Sequence, residues 1–563
     1  PAGPPHNAPL PDLTPSFWLV ADPDANPLAR EGADRQLPPS DEIIDIVVIG
    51  SGITGVTFLL HIVKQLKAMA STKGYRIVML EARDFCSGAT GRNGGHFTPF
   101  IFDDFVERAQ YDIPDATDDA LRAILLEQHS ISTMREFIQE HNWAQDVDFV
   151  ENGHTKLFGA TASEGRAEEE DARRDYDAAV AGGLPENLAK QVQWIGKEEM
   201  REKYVTKEGE PITGCHYDAA NVWPLKLVTK LFQLAASTAE SEVATTPSTS
   251  PVSVQLFTHT LVQSVTPSPS SQDDSPTVTS SVSRHNWTIA TSRGSIQARY
   301  VIHATNAYAS YLLPQFAPPP PLSTTSSTPE SVHTPRARWI QPTRGQIIAT
   351  RAAKLGPSEI WNGSSWLANR GWEYWFPRYW FPRPPSSLAL SQDSSATPDS
   401  DKAGAAEKAL IIIGGARDCA APRGEPNPLE AGITDDSTVN PLIGEALRTF
   451  LPDVFPDLFN RETEPEYEWT GIMAYTKTLD PMVGPVPIST TSSAASSAAR
   501  YLPGQFISAG YSGHGMPRAP ACAEALAQMV LADMQCLSEG GTEMQWDDWK
   551  SKRPKWLPAS YLT

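Results

Sequence analysis

Apolar residues recur along the chain at two spacings, one typical of buried strands and one typical of helices. The apolar runs Asp45–Ile49 and Arg76–Leu80 are typical of strands, and the longer Ile53–Met69 segment between them is typical of a helix. A strand, a helix and a second strand in this order predict a βαβ unit and a parallel sheet. Further helices are predicted over Asp118–His141, Thr161–Ala181, Lys197–Tyr204, Pro224–Thr238, Asn440–Leu451 and Arg518–Cys536. Further strands are predicted over Gln193–Ile195, Arg299–His303, Gly345–Thr350, Leu410–Ile413 and Gln505–Ser508.

Four stretches rich in Ser, Thr, Pro or Ala interrupt this pattern. They run over Thr266–Arg284, Ala317–Thr334, Pro385–Lys408 and Ile488–Ala499. Their composition is typical of solvated surface insertions, so we interpret them as loops between paired strands that carry no chemistry. The N-terminal residues 1–40 are expected to form an extended arm laid over a domain, and residues 537–563 a C-terminal tail.

Charge and cysteine content narrow the class of protein. The 563 residues include 46 basic and 67 acidic side chains, and the net charge of −21 repels nucleic acid and anionic lipid. We therefore expect no nucleic-acid partner. Polar residues and three glycines interrupt the apolar stretch 43–63, so we also expect no membrane span. The five cysteines form no C-x-x-C pair or Cys/His cluster, which predicts no metal site. No signal peptide is recognisable, and we expect an intracellular location, in the cytosol or an organelle.

A glycine-rich turn joins the first predicted strand to the first predicted helix. It reads Gly50, Ser51, Gly52, Ile53, Thr54 and Gly55. In this pattern the glycines allow a tight turn, close approach of a pyrophosphate and close helix packing, while the helix N-terminus attracts phosphate. Glu81 ends the second strand, where its carboxylate is placed to hydrogen-bond a ribose hydroxyl. An acidic residue there disfavours a 2′-phosphate, so the sequence predicts a site for a non-phosphorylated ADP moiety.

The residues after Glu81 distinguish a flavin from a nicotinamide. They are Ala82, Arg83 and then the small-residue loop Gly88, Ala89, Thr90, Gly91, Arg92, Asn93, Gly94, Gly95 and His96. With this loop the chain resembles the FAD-dependent D-amino acid oxidase superfamily, in which such a segment follows the pyrophosphate to the isoalloxazine ring. Further signatures of that family follow in order: Val262; Ala304, Thr305 and Asn306; Pro342–Gln346; Trp469–Met473; and Gly510, Ser512, Gly513, His514, Gly515 and Met516. The resemblance spans roughly residues 41 to 536 and implies that these residues surround FAD.

The resemblance also implies a fold and a reaction. The expected fold is α/β: a Rossmann-like FAD-binding domain with a parallel sheet, over residues 41–110, 205–312 and 465–536, interleaved with a substrate-binding domain. That second domain, over residues 111–204 and 337–464, is expected to hold a mostly antiparallel sheet. The implied activity is oxidation of the C–N bond of a small-molecule amine or amino acid by hydride transfer to flavin, followed by hydrolysis of the imine. Reoxidation by O2 would give H2O2, and another electron acceptor is the alternative.

Within the superfamily, the chain is similar to fungal members and to the γ-glutamylputrescine oxidoreductase branch, which shares R-N-G-G and a W-x-G-I/V stretch. Many relatives that oxidise amino acids carry an arginine three residues before the position of Thr476, where it pairs with the substrate carboxylate. This chain has Met473 there, which disfavours a simple D-amino acid or sarcosine. Arg344, Arg370 and Arg378 are candidates to bind a carboxylate from another direction. Met473 and Arg344 are therefore taken as candidate substrate-binding residues.

The resemblance also indicates whether the flavin is bound covalently. Met473 stands where a relative carries a flavin-linking cysteine, and Arg92 where others carry a linking histidine. We therefore expect non-covalent FAD, with His96 as the residual candidate for attachment.

The aromatic-rich segment Trp366–Phe381 and two histidines complete the candidate site. Most of these rings are expected in the core, with Tyr374 as the leading candidate for substrate contact and Trp372 and Tyr379 behind it. His96 and His514 lie in the two loops that the resemblance brings to the isoalloxazine, where an imidazole stabilises negative charge or orients an amine. No strong general base is required, because a neutral, positioned amine delivers hydride directly.

Two other classes of function remain open from the residues alone. A FAD-dependent hydroxylase also begins with G-x-G-x-x-G and an acidic residue, but it needs NAD(P)H, and the sequence shows no second dinucleotide fingerprint. A non-catalytic flavin-binding interaction protein is the other alternative. The intact loops around His96 and His514 speak against it.

Overall fold

The computed structural model describes residues 8–69, 74–160, 165–241, 251–268, 286–319, 338–354, 363–378, 410–488, 501–539, 541 and 544–563. Apart from a few terminal residues, the four low-complexity stretches lie outside these ranges, as does Tyr379. Within them, helices α1 to α12 are, in chain order, Phe17–Val20, Ile53–Ala68, Phe105–Arg108, Ala116–Glu140, Gly165–Ala181, Glu186–Ala189, Lys197–Lys203, Pro224–Glu240, Ala309–Leu312, Pro441–Val454, Gly515–Ser538 and Trp546–Ser551. No helix among the described residues is both long enough and apolar enough to cross a membrane.

Strands β1 to β18 include every strand that the sequence pattern predicts, with ends that differ by a few residues. In chain order they are Ile43–Ile49, Tyr75–Leu80, His96–Phe97, His154–Phe158, Gln193–Ile195, Thr213–Tyr217, Ala220–Asn221, Val252–Phe257, Val262–Pro267, Trp287–Thr291, Gly294–His303, Gln341–Arg351, Ser365–Ala368, Glu373–Pro377, Leu410–Gly415, Tyr467–Tyr475, Met482–Pro487 and Tyr501–Ala509.

The first sheet is built around a parallel core in the order β18-β11-β1-β2-β8. Strand β17 extends one edge in antiparallel orientation. Strand β10 pairs with β11, and β9 pairs with β10. Ile46 and Val48 of β1 face the core that contains α2, α8 and α11, whereas Val47 and Ile49 face the side covered by β9 and β10. Burial of both faces explains why β1 is a continuous apolar run.

The second sheet is mostly antiparallel, in the order β16-β12-β15-β14-β13-β4-β6-β5, with a parallel pair between β13 and β4. Helix α10 packs on it through Ile443, Leu447 and Leu451. Together the two sheets confirm the predicted α/β class, with one parallel-centred layer and one antiparallel layer.

Two strands lie in the second sheet although the predicted boundaries place them in the FAD-binding domain. Thr213–Tyr217 pairs with β4, and Tyr467–Tyr475 pairs with β12 over its full length. Their alternating patterns do not reveal the pairing partner, because strand pairing depends on contacts distant in sequence. The second sheet therefore reaches further along the chain in both directions than the sequence predicts.

The N-terminal arm is inserted into the protein more deeply than a segment laid over its surface. Its short helix α1 carries Trp18, whose side chain is only 1% exposed. The indole stacks parallel to Phe376 and packs edge-on against Trp223, and its Nε1 donates a hydrogen bond to the carbonyl oxygen of Asn93 at 2.5 Å. The arm therefore supports the loop that contains Asn93.

Candidate active site

A cavity of about 560 Å³ is lined by residues from both sheets. Its lining includes the turns that follow β1 and β2 and residues of the strands β12, β14 and β16. Its volume is in the range of about 300 to 1,000 Å³ that is usual for small-molecule sites. The fold thus places the predicted dinucleotide motif and the predicted substrate strands around one space.

Most residues predicted to bind the cofactor line this cavity. They are Gly50, Gly52, Ile53, Thr54, Glu81, Ala82, Arg83, Gly88, Ala89, Thr90, Arg92, Asn93, Gly94, His96, Val262, Ala304, Thr305, Asn306, Ser512, Gly513, His514, Gly515 and Met516. Four others lie behind the wall: Ser51, Gly55, Gly95 and Gly510. These four shape the lining without forming part of it.

The turn after β1 needs its glycines for backbone geometry. Gly50 has a φ of +108°, a conformation that residues with a side chain rarely adopt. A Cβ on Gly55 would lie 2.0 Å from the carbonyl oxygen of Gly50, so only glycine allows α2 to pack this closely on the strand. Gly52 caps α2 without a side chain, and a Cβ there would lie 3.0 Å from Oγ1 of Thr90. The helix N-terminus therefore faces the cavity wall with no side chain from its cap.

Glu81 is oriented by hydrogen bonds from the same turn. Its carboxylate accepts from the backbone N–H of Ser51 at 3.0 Å, from the Ser51 hydroxyl at 2.7 Å and from the N–H of Arg83 at 3.1 Å. The Ser51 hydroxyl in turn accepts from the N–H of Cys86. Ser51 thus holds Glu81 in place at the cavity, which explains its position behind the lining.

A buried charge cluster joins the cofactor loops to the arm and to the second layer. Asp436 accepts hydrogen bonds from Arg83 at 3.1 and 3.2 Å and lies 3.8 Å from Nε of Arg92. Arg92 also donates to the carbonyl oxygen of Thr14 at 2.7 Å and to that of Thr470 at 2.5 Å. Burial lowers the pKa of Arg92 to about 10, which leaves the guanidinium charged at neutral pH.

His96 and Tyr374 meet beside the glycine loop. Their rings pack edge to face at 5.4 Å, and a Cβ on Gly94 would lie 2.6 Å from the Tyr374 ring. The two ring nitrogens of His96 face the carbonyl oxygens of Gly94 and Trp375 at 3.3 and 3.2 Å. Burial lowers the pKa of His96 to about 4 and raises that of Tyr374 to about 12. Both groups are therefore neutral at physiological pH.

His514 has a different environment, which includes a residue that the sequence analysis missed. Its ring stacks on Phe100 at 3.8 Å, and its Nε2 lies 3.0 Å from a carboxylate oxygen of Glu127 on α4. Glu127 also accepts from Nε of Arg518 at 2.7 Å and from the N–H of Phe100 at 2.6 Å. Although burial opposes the charge, these partners hold the pKa of Glu127 at about 2, so it stays ionised.

Strand alternation sorts the aromatic segment into core and cavity residues. Trp366 and Trp375 stack at 5.7 Å inside the second core, as expected for most of these rings. Tyr374 points to the opposite side of β14 and lines the cavity with Trp372. Met473 also lines it.

The arginines proposed to bind a substrate carboxylate are all paired with protein carboxylates. The pairs are Arg344–Glu430, Arg370–Asp171 and Arg378–Asp148. Arg344 does not line the cavity: β12 turns Gly345 and Ile347 towards the cavity, and the Arg344 guanidinium is buried at 2.5 Å from Glu430. This placement argues against its expected role in substrate binding.

Arg417 is the arginine that the sequence analysis missed. It follows β15, lines the cavity and donates a hydrogen bond to the phenolic oxygen of Tyr475 at 2.7 Å. Its guanidinium lies 5.5 Å from the Trp372 ring centre. Within the described ranges it has no carboxylate partner. No motif or spacing in the sequence marks Arg417, because its place at the cavity depends on the pairing of β15 with β12 and β14.

These residues fit an adenine dinucleotide with a flavin. The N-terminus of α2, capped by glycine and with the N–H of Ile53 bound to Oγ1 of Thr90 at 3.1 Å, lies at the cavity, which suits a pyrophosphate. The oriented Glu81 carboxylate suits ribose hydroxyls. The loops of Gly94 and Gly513 meet the aromatic side of the cavity, where a redox-active ring has space. The fold and site define a dinucleotide-dependent oxidoreductase.

Comparison with known proteins identifies the family. Residues 45–529 match the model of the DAO family, described as FAD dependent oxidoreductase, and the chain belongs to this family. It is therefore a FAD-dependent oxidoreductase, which confirms the predicted cofactor. A search of curated proteins found no significant match.

Solved structures share the fold. Glycine oxidase from Geobacillus kaustophilus has 18% identity and a TM-score of 0.53, over 86% of this chain and 94% of that enzyme. L-proline dehydrogenase from P. horikoshii has 18% identity and a TM-score of 0.52, over 91% and 97%. L-amino acid deaminase from Proteus vulgaris has 14% identity and a TM-score of 0.51, over 89% and 96%. At these identities the likeness establishes the fold.

Proposed function

We propose that this protein oxidises the C–N bond of a small amine that also carries a carboxylate. The observation that carries the proposal is the single cavity that joins the dinucleotide cradle at Gly50 and Gly52 to Tyr374, Trp372 and Arg417. The three structural neighbours are named for reactions of glycine, L-proline and L-amino acids, which are amines of this kind.

The residues of the chain give each part of such a substrate a partner. Arg417, without a carboxylate partner among the described residues, offers N–H donors to a substrate carboxylate, and Tyr475 holds the guanidinium in place. Trp372 and Tyr374 supply aromatic surface for the apolar part of the substrate and for an ammonium group. Bound FAD supplies a hydride acceptor. Hydrolysis of the imine product in water then completes the reaction.

Two finer statements belong to the same proposal. The R-N-G-G run at Arg92–Gly95 and the Trp469–Ile472 stretch favour similarity to the γ-glutamylputrescine oxidoreductase branch, and we also infer a protein of the fungal type within the family. We infer O2 as the electron acceptor, with H2O2 as the second product, and non-covalent binding of FAD.

An anaerobic substrate screen tests the proposed function. Purified protein with its flavin is mixed with amines, polyamines, N-methyl amino acids and D- and L-amino acids, and the visible flavin band is followed. We expect bleaching by amines that carry a carboxylate and little bleaching by matched amines that lack one. Bleaching by NAD(P)H alone would instead indicate a hydroxylase. A bound flavin that no amine bleaches would overturn the proposal.

A further inference from the structure

Three of the described histidines line the cavity, and they differ in what their ring nitrogens contact. His96 faces two backbone carbonyl oxygens, and Nδ1 of His154 lies 2.7 Å from the Ser365 hydroxyl. Neither of these rings contacts a carboxylate among the described residues. Burial lowers the pKa of both, to about 4 for His96 and well below the ordinary value for His154. They are therefore poor acceptors of a proton at neutral pH.

His514 is fixed in a way that suits proton transfer. Stacking on Phe100 sets the plane of its ring, and the contact with Glu127 occupies Nε2. Because Glu127 is ionised, it accepts a hydrogen bond from Nε2–H, which leaves the lone pair of a neutral imidazole on Nδ1. No described residue hydrogen-bonds to Nδ1, and the side chain keeps 19% exposure at the cavity.

Charged and titratable groups from two helices surround the His514 ring. Glu127 from α4 and Arg518 from α11 lie against it, and His96 and His154 are the other titratable groups nearby. Glu127 is 2% exposed, so its attraction to an imidazolium is only weakly screened by solvent. Arg518 donates to the other carboxylate oxygen, so Glu127 is held by two partners.

We propose that His514 accepts the proton that the substrate ammonium must lose before hydride transfer, and that Glu127 is its positioning residue. In this step an N–H bond of the ammonium breaks, an Nδ1–H bond forms, and the amine keeps the electron pair. Glu127 accepts no proton: it holds the tautomer and offsets the imidazolium charge. This inference rests on the proposed amine oxidation and adds a proton acceptor to it.

The first test needs no substrate. Diethylpyrocarbonate acylates unprotonated imidazole nitrogens, and peptide mass spectrometry gives the rate at His514 as a function of pH in the flavin-bound protein. We expect the midpoint of this profile to move to lower pH in Glu127→Gln, because the neutral amide no longer attracts the imidazolium. The same midpoint in wild type and Glu127→Gln would overturn the pairing. The matched control is Glu524→Gln, which breaks the 2.7 Å His129–Glu524 pair outside the cavity and should leave the His514 profile unchanged.

The second test uses the rate of anaerobic flavin reduction by an amine. In His514→Asn we expect a loss of about 100-fold at pH 7, a usual size for acid–base catalysis, which shrinks as the pH nears the pKa of the substrate amine. A deficit that is constant with pH would indicate a structural role and overturn the proposal. Because this variant keeps Glu127, it tests the proposal even if Glu127→Gln does not fold. Glu127→Asp, which keeps the charge, should recover part of the activity lost in Glu127→Gln.

The two tests separate this inference from the proposed function. If no amine reduces the wild-type flavin, the proposed function fails and the proton transfer fails with it, while the modification profile still reports the pairing. If amines reduce the flavin but the pH behaviour of His514→Asn matches wild type, only the inference about His514 is overturned.

Discussion

The guanidinium of Arg417 lies 2.7 Å from the phenolic oxygen of Tyr475, and both side chains line the cavity that also holds the dinucleotide motif. The two residues come from different strand ends, after β15 and at the end of β16. Tyr475 is two residues beyond Met473 on the same strand, where the family resemblance leads one to expect a nearby arginine. Arg417 thus follows a strand that lies two places from β16 in the second sheet, with β12 between them.

Replacement of Arg417 by glutamine should weaken the use of carboxylate-bearing amines. A lost charge-assisted contact is worth about 1.5 to 3 kcal/mol, so kcat/KM should fall about 10- to 100-fold. Steady-state kinetics with an amino acid and with its decarboxylated amine measure this effect. The matched control is Arg461→Gln, which breaks an exposed pair with Asp453. An equal loss for both substrates would argue against carboxylate binding by Arg417.

Gly52→Ala should weaken FAD binding while the protein remains folded. The added Cβ lies 3.0 Å from Thr90 Oγ1 at the wall where α2 begins, so it narrows the space expected for the pyrophosphate. We expect the dissociation constant of FAD to rise at least about 10-fold, measured by titration of the apoprotein with FAD. Gly196→Ala is the control, because Gly196 caps α7 and a Cβ there meets nothing within 4 Å. A similar loss in both variants would contradict the prediction.

Acid precipitation should release all of the flavin. Both ring nitrogens of His96 face backbone carbonyl oxygens, Met473 is a thioether and Arg92 is held by Thr14 and Thr470. Because each of the three groups is held against the protein in this way, we expect none of them to form a covalent link. After precipitation the flavin absorbance should therefore be found in the supernatant. A fluorescent band on a denaturing gel, or a flavin-bearing peptide, would show covalent attachment.

Glu373→Gln should stabilise the protein at alkaline pH more than at acid pH. Burial raises the pKa of Glu373 from its ordinary value of 4.5 to about 7, with Asp418 and Glu168 adding smaller effects. A carboxyl whose pKa is raised on folding costs stability as the pH rises from about 4.5 to 7, because the unfolded state loses its proton first. The glutamine variant avoids this cost, which is on the order of 3 kcal/mol.

Denaturation at pH 5 and pH 8 measures this effect, with Glu445→Gln as the control on an exposed helix position. The advantage of Glu373→Gln should grow between the two pH values. If the advantage is the same at both, the buried carboxyl does not titrate as expected.

The local part of the FAD site was predictable because its residues are neighbours in sequence. Gly50, Gly52 and Gly55 act within one turn and one helix, and Glu81 follows the adjacent parallel strand. Backbone conformation and helix packing impose these residue types directly. Strand alternation likewise explains why Trp375 lies in the core while its neighbour Tyr374 lines the cavity.

The substrate side was less predictable because its contacts join residues distant in sequence. From the sequence, Arg344 was as good a candidate for substrate binding as the other arginines. In the structure, β12 places it beside Glu430, away from the cavity. Glu127 sits in a helix far along the chain from His514, and no local pattern links them.

The sequence by itself determined the α/β class and the dinucleotide turn, because short-range geometry and motif spacing specify them. The flavin and most of the other residues around it were predicted through the family resemblance. Only the tertiary structure decided which arginine lacks a described carboxylate partner, which histidine rests on a carboxylate and how the two sheets divide the strands. Those outcomes depend on contacts between residues that are distant in sequence. A buried charge is stabilised by a partner of opposite charge, and a strand pairs with another strand, that local spacing does not reveal.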